Sequence, residues 1–172
     1  MLPVFSNFHA SLWVFKASRL LACFNVMTVQ QAYSDWAATY DTDPNRTRDL
    51  DQDVTRKTLS NRHFNSILEI GCGTGKNTAF LSTVGEQVLA LDFSEGMLSQ
   101  AKAKLQLKNV SFVKADLTLA WPCADRSMDL VACNLVLEHI ADIGFVFSQA
   151  SRSLRPRGRL FVCELHPFRQ YQ

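Results

Sequence analysis

The chain has 172 residues, 47% of them hydrophobic and 20% charged, which is one domain's worth of sequence with enough apolar material for a sizeable core. Eighteen Lys and Arg against sixteen Asp and Glu leave a formal charge of +2, too little to give an electrostatic footprint for nucleic acid or an acidic membrane surface. Five cysteines, Cys23, Cys72, Cys123, Cys133 and Cys163, stand singly, with no C-x-x-C pair and no Cys/His cluster at zinc-ligand spacing; the pattern points to a reducing, cytoplasmic setting and to no metal site.

Residues 1–26 differ from the rest of the chain. They hold no acidic residue, carry Lys16 and Arg19, and are rich in aromatics. A secretory signal places its positive charges before the apolar stretch, and here they lie inside it; the stretch is also too short and interrupted to span a bilayer. An added N-terminal helix and an upstream extension of the reading frame, with Met27 starting the domain proper, are the two readings left. Residues 32–62 are polar and helical in pattern, broken at Asp43-Pro44 because the residue before a proline is pushed out of the α region. Val54 and Leu59 fit one amphipathic helix leading into the first strand.

From residue 66 onward strand and helix alternate. Apolar runs predict strands over 66–70, 87–91, 110–114, 128–133 and 159–165, and helices over 76–83, 95–107 and 143–154. Strands that are nearly continuous apolar runs, interleaved with helices, argue for a parallel sheet covered on both faces. The chain then divides into an extension over 1–26, a helical cover over 27–65 and an α/β core over 66–172.

In such a sheet ligands bind beyond the carboxyl ends of the strands. The sequence LEIGCGTGKNT, Leu68 to Thr78, lies there, with glycines at three alternate positions. A dinucleotide fingerprint would put its third glycine at Lys76 instead of Gly75, and a phosphate-binding P-loop would need glycine at Ile70 and a hydroxyl at Asn77. Neither fits well.

Glu69-Ile70-Gly71-Cys72-Gly73-Thr74-Gly75 resembles the E/D-x-G-x-G-x-G motif of the class I S-adenosylmethionine-dependent methyltransferases, and further features succeed it in that family's order. Asp92 ends the second strand, 21 residues after Gly71. Asp116-Leu117 closes the third strand, and Asn134-Leu135-Val136-Leu137-Glu138-His139-Ile140 comes after the fourth. Trp36-x-x-x-Tyr40-Asp41 is similar to the N-terminal cover of the small-molecule branch. The resemblance implies an α/β, Rossmann-like, doubly wound and mainly parallel sheet with strand order 3-2-1-4-5. It implies S-adenosyl-L-methionine as cofactor, held by Tyr40, Glu69, Gly71, Cys72, Gly73, Gly75, Asp92, Phe93, Asp116, Leu117 and Asn134. Within that set Asp92 would accept from the ribose hydroxyls, Asp116 and Leu117 would meet adenine, and Glu69 would partner the ammonium.

The activity implied is methyl transfer to a small-molecule acceptor, with Glu138 and His139 as catalytic candidates and Glu164 and His166 next to them. A Glu-His pair at such a junction can equally cap or orient a loop, and His166-Pro167 can simply end a strand. Two departures stand out. Arg157 occupies a turn position where the family has glycine, and it forms a basic cluster with Arg152 and Arg159 that reads as a solvated loop. The family's C-terminal antiparallel strands have no counterpart before Gln172, so the fifth strand is expected to be an exposed apolar edge through which two copies could pair. A non-catalytic cofactor-binding subunit or truncated remnant that needs a partner to complete its sheet is the alternative function. No nucleic acid or membrane partner is expected.

Overall fold

The computed structural model describes residues 29–165; the segment 1–26, His166 and Pro167 lie outside them. The elements are α1 (Val29–Trp36), α2 (Arg46–Leu59), β1 (Phe64–Ile70), α3 (Thr78–Val84), β2 (Gly85–Asp92), α4 (Glu95–Lys104), β3 (Val110–Lys114), β4 (Met128–Asn134), a 3-10 turn (Leu137–His139), α5 (Ile143–Ser153) and β5 (Leu154–Cys163). The five strands form one sheet in the order β3-β2-β1-β4-β5, and every neighbouring pair is parallel. Expected order and doubly wound class are both observed.

Burial explains the strand pattern. In β1, Ile67, Leu68 and Ile70 are almost wholly buried, as are Leu130, Val131, Ala132 and Cys133 of β4. Alternate residues serve opposite faces. Leu68, Ile70, Leu91, Val131 and Cys133 pack with Val146 and Ala150 of α5, while Ile67, Val88, Leu130 and Ala132 pack with Leu59, Leu81 and Val84 from α2 and α3. No helix joins β3 to β4; the connecting loop instead sends Trp121 into the α5-side core, where it is 3% exposed. Arg152 pins that loop, donating to Trp121 O (3.1 Å) and Cys123 O (2.9 Å) and pairing with Asp125 (2.6 Å). That member of the expected basic cluster is thereby a structural tie.

Two local readings change. The break at Asp43-Pro44 is followed by an Asn45 cap, whose side chain accepts from Arg48 N (3.1 Å), but the inward stripe of α2 is Arg48, Asp51, Thr55 and Leu59. Val54, expected on the apolar face, is 37% exposed. β5 begins at Leu154, directly after α5, instead of beyond the Pro-Arg-Gly turn. Arg157 adopts the left-handed conformation at φ +68°, at the turn position where the family has glycine. β5 is the sheet's edge among the described residues, with Leu160 and Val162 about 40% exposed.

Candidate functional site

Strand order reverses between β1 and β4, where β1→β2 leaves to one side and the chain later returns on the other; this is the place where a doubly wound sheet opens a crevice. In register, Ile70 pairs with Leu91 and with Cys133. Gly71, Asp92 and Asn134 therefore leave the sheet at one level. Above them lies a cavity of about 290 Å³, closed from the other side by residues of α1 and α2.

The loop after β1 makes its turns with Gly71, Gly73 and Gly75 at φ +69°, +54° and +81°. Gly71 has a further constraint: a Cβ there would sit 2.2 Å from Val136 Cγ2. Leu135, itself left-handed at φ +54°, turns the chain after β4 and brings Val136 onto the loop. Cys72 N donates to Leu91 O (2.9 Å), tying the loop to β2, and burial pushes the Cys72 thiol well up, which makes it a wall of the cavity and not a nucleophile. Gly75 is outside the cavity; it packs the loop onto α4, where a Cβ would meet Leu105 Cδ1 at 2.6 Å.

Asp92 holds the loop from β2. Its Oδ2 accepts from Gly73 N and its Oδ1 from Ser94 N, each at 2.8 Å. Burial raises its pKa, against the pull of the Ser94, Gly73 and Phe93 amides. A carboxylate has about four acceptor sites, so these amides leave Asp92 capacity for a further donor. Asp116, at the exposed rim, accepts from Thr118 N (2.9 Å) and Thr118 Oγ1 (2.7 Å), both on Oδ1, and these bonds lower its pKa. Leu117 beside it is buried. Glu69, 3% exposed, accepts from Thr78 Oγ1 at 2.5 Å. Burial pushes its carboxyl up to about 8, so a cation placed beside it would draw out the proton.

The cover is joined to this floor by polar contacts. Asp41 accepts from Thr74 Oγ1 (2.6 Å) of the glycine loop and from Lys104 Nζ (2.7 Å) of α4. Burial opposes ionisation of Asp41, but the Lys104 and Thr74 bonds hold its pKa low. Lys76 reaches Asp49 at 2.6 Å. Tyr40 lines the cavity beneath the Arg48 guanidinium, which lies 4.0 Å from its ring centroid. Arg48 in turn donates to the carbonyls of Tyr40 and Asp43. Tyr33 OH and His139 Nε2 share a hydrogen bond of 2.7 Å, and the half-buried Tyr33 phenol is pushed up to about 12, first by burial.

Of the predicted residues, Tyr40, Glu69, Gly71, Cys72, Gly73, Asp92, Phe93, Asp116, Leu117, Asn134 and His139 line the one cavity. Glu138 is not among the lining residues; its Oε1 lies 3.4 Å from His139 Nε2. Glu164, the reserve candidate, accepts from Val136 N (2.8 Å) and Leu137 N (3.1 Å), so it caps the 3-10 turn. His166 lies outside the described residues. Sequence reading missed Tyr33, Arg48, Asp51 and Asn77, all in the cavity wall. For the three on or facing α2, the only signal was the spacing 48, 51, 55 and 59, a polar stripe ending in one apolar anchor, which resembles a solvated helix face.

A glycine loop and acidic strand ends at the switch point of a doubly wound sheet, roofed by helices, define a fold for nucleotide-derived cofactors. Residues 68–162, more than half of the chain, match the family described as a methyltransferase domain. A demethylmenaquinone methyltransferase of Lactococcus lactis is 38% identical over 126 residues, 69% of this chain and 50% of that protein. A malonyl-[acyl-carrier protein] O-methyltransferase of Pseudescherichia vulneris is 31% identical over 138 residues, 80% and 53% of the two chains. The solved DhpI-SAM-HEP complex is 28% identical with a TM-score of 0.68, covering 82% of this chain and 67% of that one. The chain belongs to the class I S-adenosylmethionine-dependent methyltransferase family. It spans about half the length of the curated relatives it matches. Among the described residues no helix is long and apolar enough to cross a membrane.

Proposed function

We propose that this chain binds S-adenosylmethionine between the glycine loop and the α1–α2 cover and transfers its methyl group to a small organic acceptor. The observation that carries the reading is Asp92. Its carboxylate lies level with Gly71, is anchored by backbone amides of the glycine loop and of the turn after β2, and retains acceptor capacity, as recognition of a ribose hydroxyl requires. Asp116 is suited to accept from the adenine amine with the Leu117 backbone beside it, and Phe93 and Cys72 are suited to line the base and the thioether. Glu69, buried and reluctant to ionise, fits an ammonium; Tyr40 roofs the site.

The sulfonium supplies an activated methyl electrophile, so the protein's share of catalysis is holding an acceptor at attack distance and excluding water. A base is needed only where the acceptor loses a proton. His139 is the candidate that reaches the cavity, oriented by Tyr33 and accompanied by Glu138. The relatives named for demethylmenaquinone and for malonyl-[acyl-carrier protein] support an organic acceptor, and the four thiols that stand free among the described residues support a cytoplasmic setting.

A second reading is favoured by the β5 edge, where Leu160 and Val162 are about 40% exposed: a cofactor-binding subunit that acts only when a second copy or another chain covers that strand. Transfer of radiolabel from methyl-labelled cofactor to quinone-precursor or acyl-carrier acceptors tests both. Labelled product supports the enzyme. Cofactor retention without product supports the subunit, and failure of the folded chain to retain cofactor overturns both.

A further inference from the structure

Four of the eight large hydrophobic side chains that stand exposed among the described residues, Ile143, Phe147, Leu160 and Val162, come from two adjoining elements, α5 and β5. The register shows that the two on β5 share the α5 face. Leu160 pairs with Val131 and Val162 with Cys133, and both partners belong to the α5-side core, whereas Phe161 pairs with Ala132 and packs on the other side. On α5, Val146, Ala150 and Ser153 point inward. One flank of that helix is taken by the β3–β4 loop, where Trp121 N donates to Gln149 Oε1 (3.2 Å) and Trp121 O accepts from Arg152 (3.1 Å). At about 100° per residue, Ile143 and Phe147 lie on the opposite flank, toward β5. An apolar ledge therefore runs from the side of α5 to the edge of the sheet.

The ledge borders main chain that no described strand pairs. Leu135 N donates to Cys163 O (3.0 Å), so Cys163 turns its main-chain groups toward β4. By the two-residue period of a strand, Leu160 and Val162 turn theirs outward. Among the described residues no strand lies beyond β5. Outward main-chain donors and acceptors beside exposed apolar side chains are a template for another strand. The exposed cations of β5, Arg157 and Arg159, lie toward its amino end, so a strand pairing antiparallel with a copy of itself need not bring them together.

We infer that a second copy of this chain covers the ledge, β5 pairing antiparallel with β5 of the copy about a two-fold axis at Phe161. In that register Leu160 lies opposite Val162 of the copy and Val162 opposite its Leu160, as hydrogen-bonded pairs of an antiparallel ladder. Moving the axis to Leu160 would set Val162 against Gly158, and moving it to Val162 would set Leu160 against Glu164. With the axis at Phe161, Arg159 comes opposite Cys163 and Arg157 opposite Leu165, so no like charges are opposed. Each α5 lies over its own β4 and β5. Strands about 4.8 Å apart then place the two α5 helices roughly 10 Å from each other, the spacing of packed helices, with Ile143 and Phe147 between them. A parallel pairing would put the helices on opposite faces and leave both ledges open. The antiparallel interface is isologous and closes at two copies. The inference rests on the second reading above, that β5 needs cover, and names the chain that supplies it.

The test is sedimentation equilibrium of the full 172-residue chain at micromolar concentrations, with hydrogen exchange read before and after dilution. A reversible dimer is expected, in which the Leu160 and Val162 amides exchange at least tenfold more slowly than in the diluted monomer. Leu160→Lys and Val162→Glu, both at exposed positions, are each expected to weaken self-association at least tenfold while the variants still melt cooperatively. An equimolar mixture of the two variants is expected to recover association, because the introduced charges face each other across the axis. A wild-type chain that stays monomeric overturns the inference, whatever covers the ledge. So do a dimer indifferent to both substitutions, a mixture of folded variants that recovers nothing, and growth into open oligomers. Should one variant fail to fold, Phe147→Glu replaces it as the disrupting change and the two edge amides carry the register. Cofactor retained by a monomeric chain removes this inference and leaves cofactor binding standing; a dimer that retains none does the reverse.

Discussion

The two halves of the cavity are held in place by different physics. Its floor is the carboxyl end of a parallel sheet, where Ile67, Leu68, Leu91 and Leu130 are at most 1% exposed and the register fixes Gly71, Asp92 and Asn134 at one level. Of its roof, α2 is anchored by Leu59 in the core and by buried bonds from Asp51 to Asn77 and Asn134, while α1 and the turn after it are joined to the floor through side-chain pairs, Tyr33 with His139 and Asp41 with Thr74 and Lys104. A floor fixed by burial is rigid and insensitive to solution conditions. The part of the roof fixed by partly exposed polar pairs, α1 and the turn after it, is the element expected to open and to respond to salt.

The largest effect should come from disturbing the floor. Gly71→Ala forces a Cβ to within 2.2 Å of Val136 at a φ of +69°, and strain plus overpacking should lower stability by about 2–4 kcal/mol, with ligand binding lost. Gly73→Ala meets nothing within 4 Å and should cost only about 1 kcal/mol for its left-handed backbone, while its methyl intrudes on the ligand. Denaturant melts of the two variants, beside their binding, separate folding from ligand space. Equal stability losses would contradict the assignment of Gly71 to packing against Val136.

Glu69 gives the next effect, through pH. Its folded-state pKa of about 8 lies above the ordinary 4.5, so the native state holds the proton more tightly than the unfolded chain. Its stabilising contribution is complete below about pH 4.5 and is lost as the pH climbs to about 8. Glu69→Gln, which mimics the protonated form, should therefore gain stability relative to the wild type between about pH 5 and 8, read as a widening difference in Tm. A constant difference across that range would show that Glu69 is not held protonated. With S-adenosylhomocysteine bound beside it, the wild type should release a proton in the same window, measurable as a buffer-dependent binding enthalpy.

The roof should show the smallest effects. Asp41→Ala removes two partly exposed contacts and should cost no more than about 1 kcal/mol of global stability, yet raise amide exchange in α1 and the following turn. Raising the salt concentration should act on the wild type in the same direction. Protection in α1 equal to that of β1 and β4, unchanged by Asp41→Ala, would erase the distinction between roof and floor.

The same division decides what could be read from the sequence. Buried parallel strands are apolar runs, so their existence and the acidic residues at their ends were legible, as was the glycine loop. The inward face of α2 was not, because Arg48, Asp51 and Thr55 turn inward to complete a polar cavity, and a polar stripe looks the same whether it meets water or a ligand. Val54 was misplaced for the same reason. The early start of β5 was hidden because Arg155-Pro156-Arg157-Gly158 has the composition of a free turn; it is incorporated through a register irregularity opposite Met128 and Leu130. Glu164 looked catalytic by position, and only its two bonds to backbone amides reveal a cap.

The most direct test of the central claim, that Asp92 on a rigid floor recognises the cofactor's ribose, is calorimetric titration of the 172-residue chain and its Asp92→Asn variant with S-adenosylhomocysteine. One saturable site in the wild type, weakened by about 1.4 kcal/mol or more (a factor of ten in Kd) in a variant that still melts cooperatively, is the predicted result. Equal affinity in the folded variant, or no saturable binding by the folded wild-type chain, would contradict it.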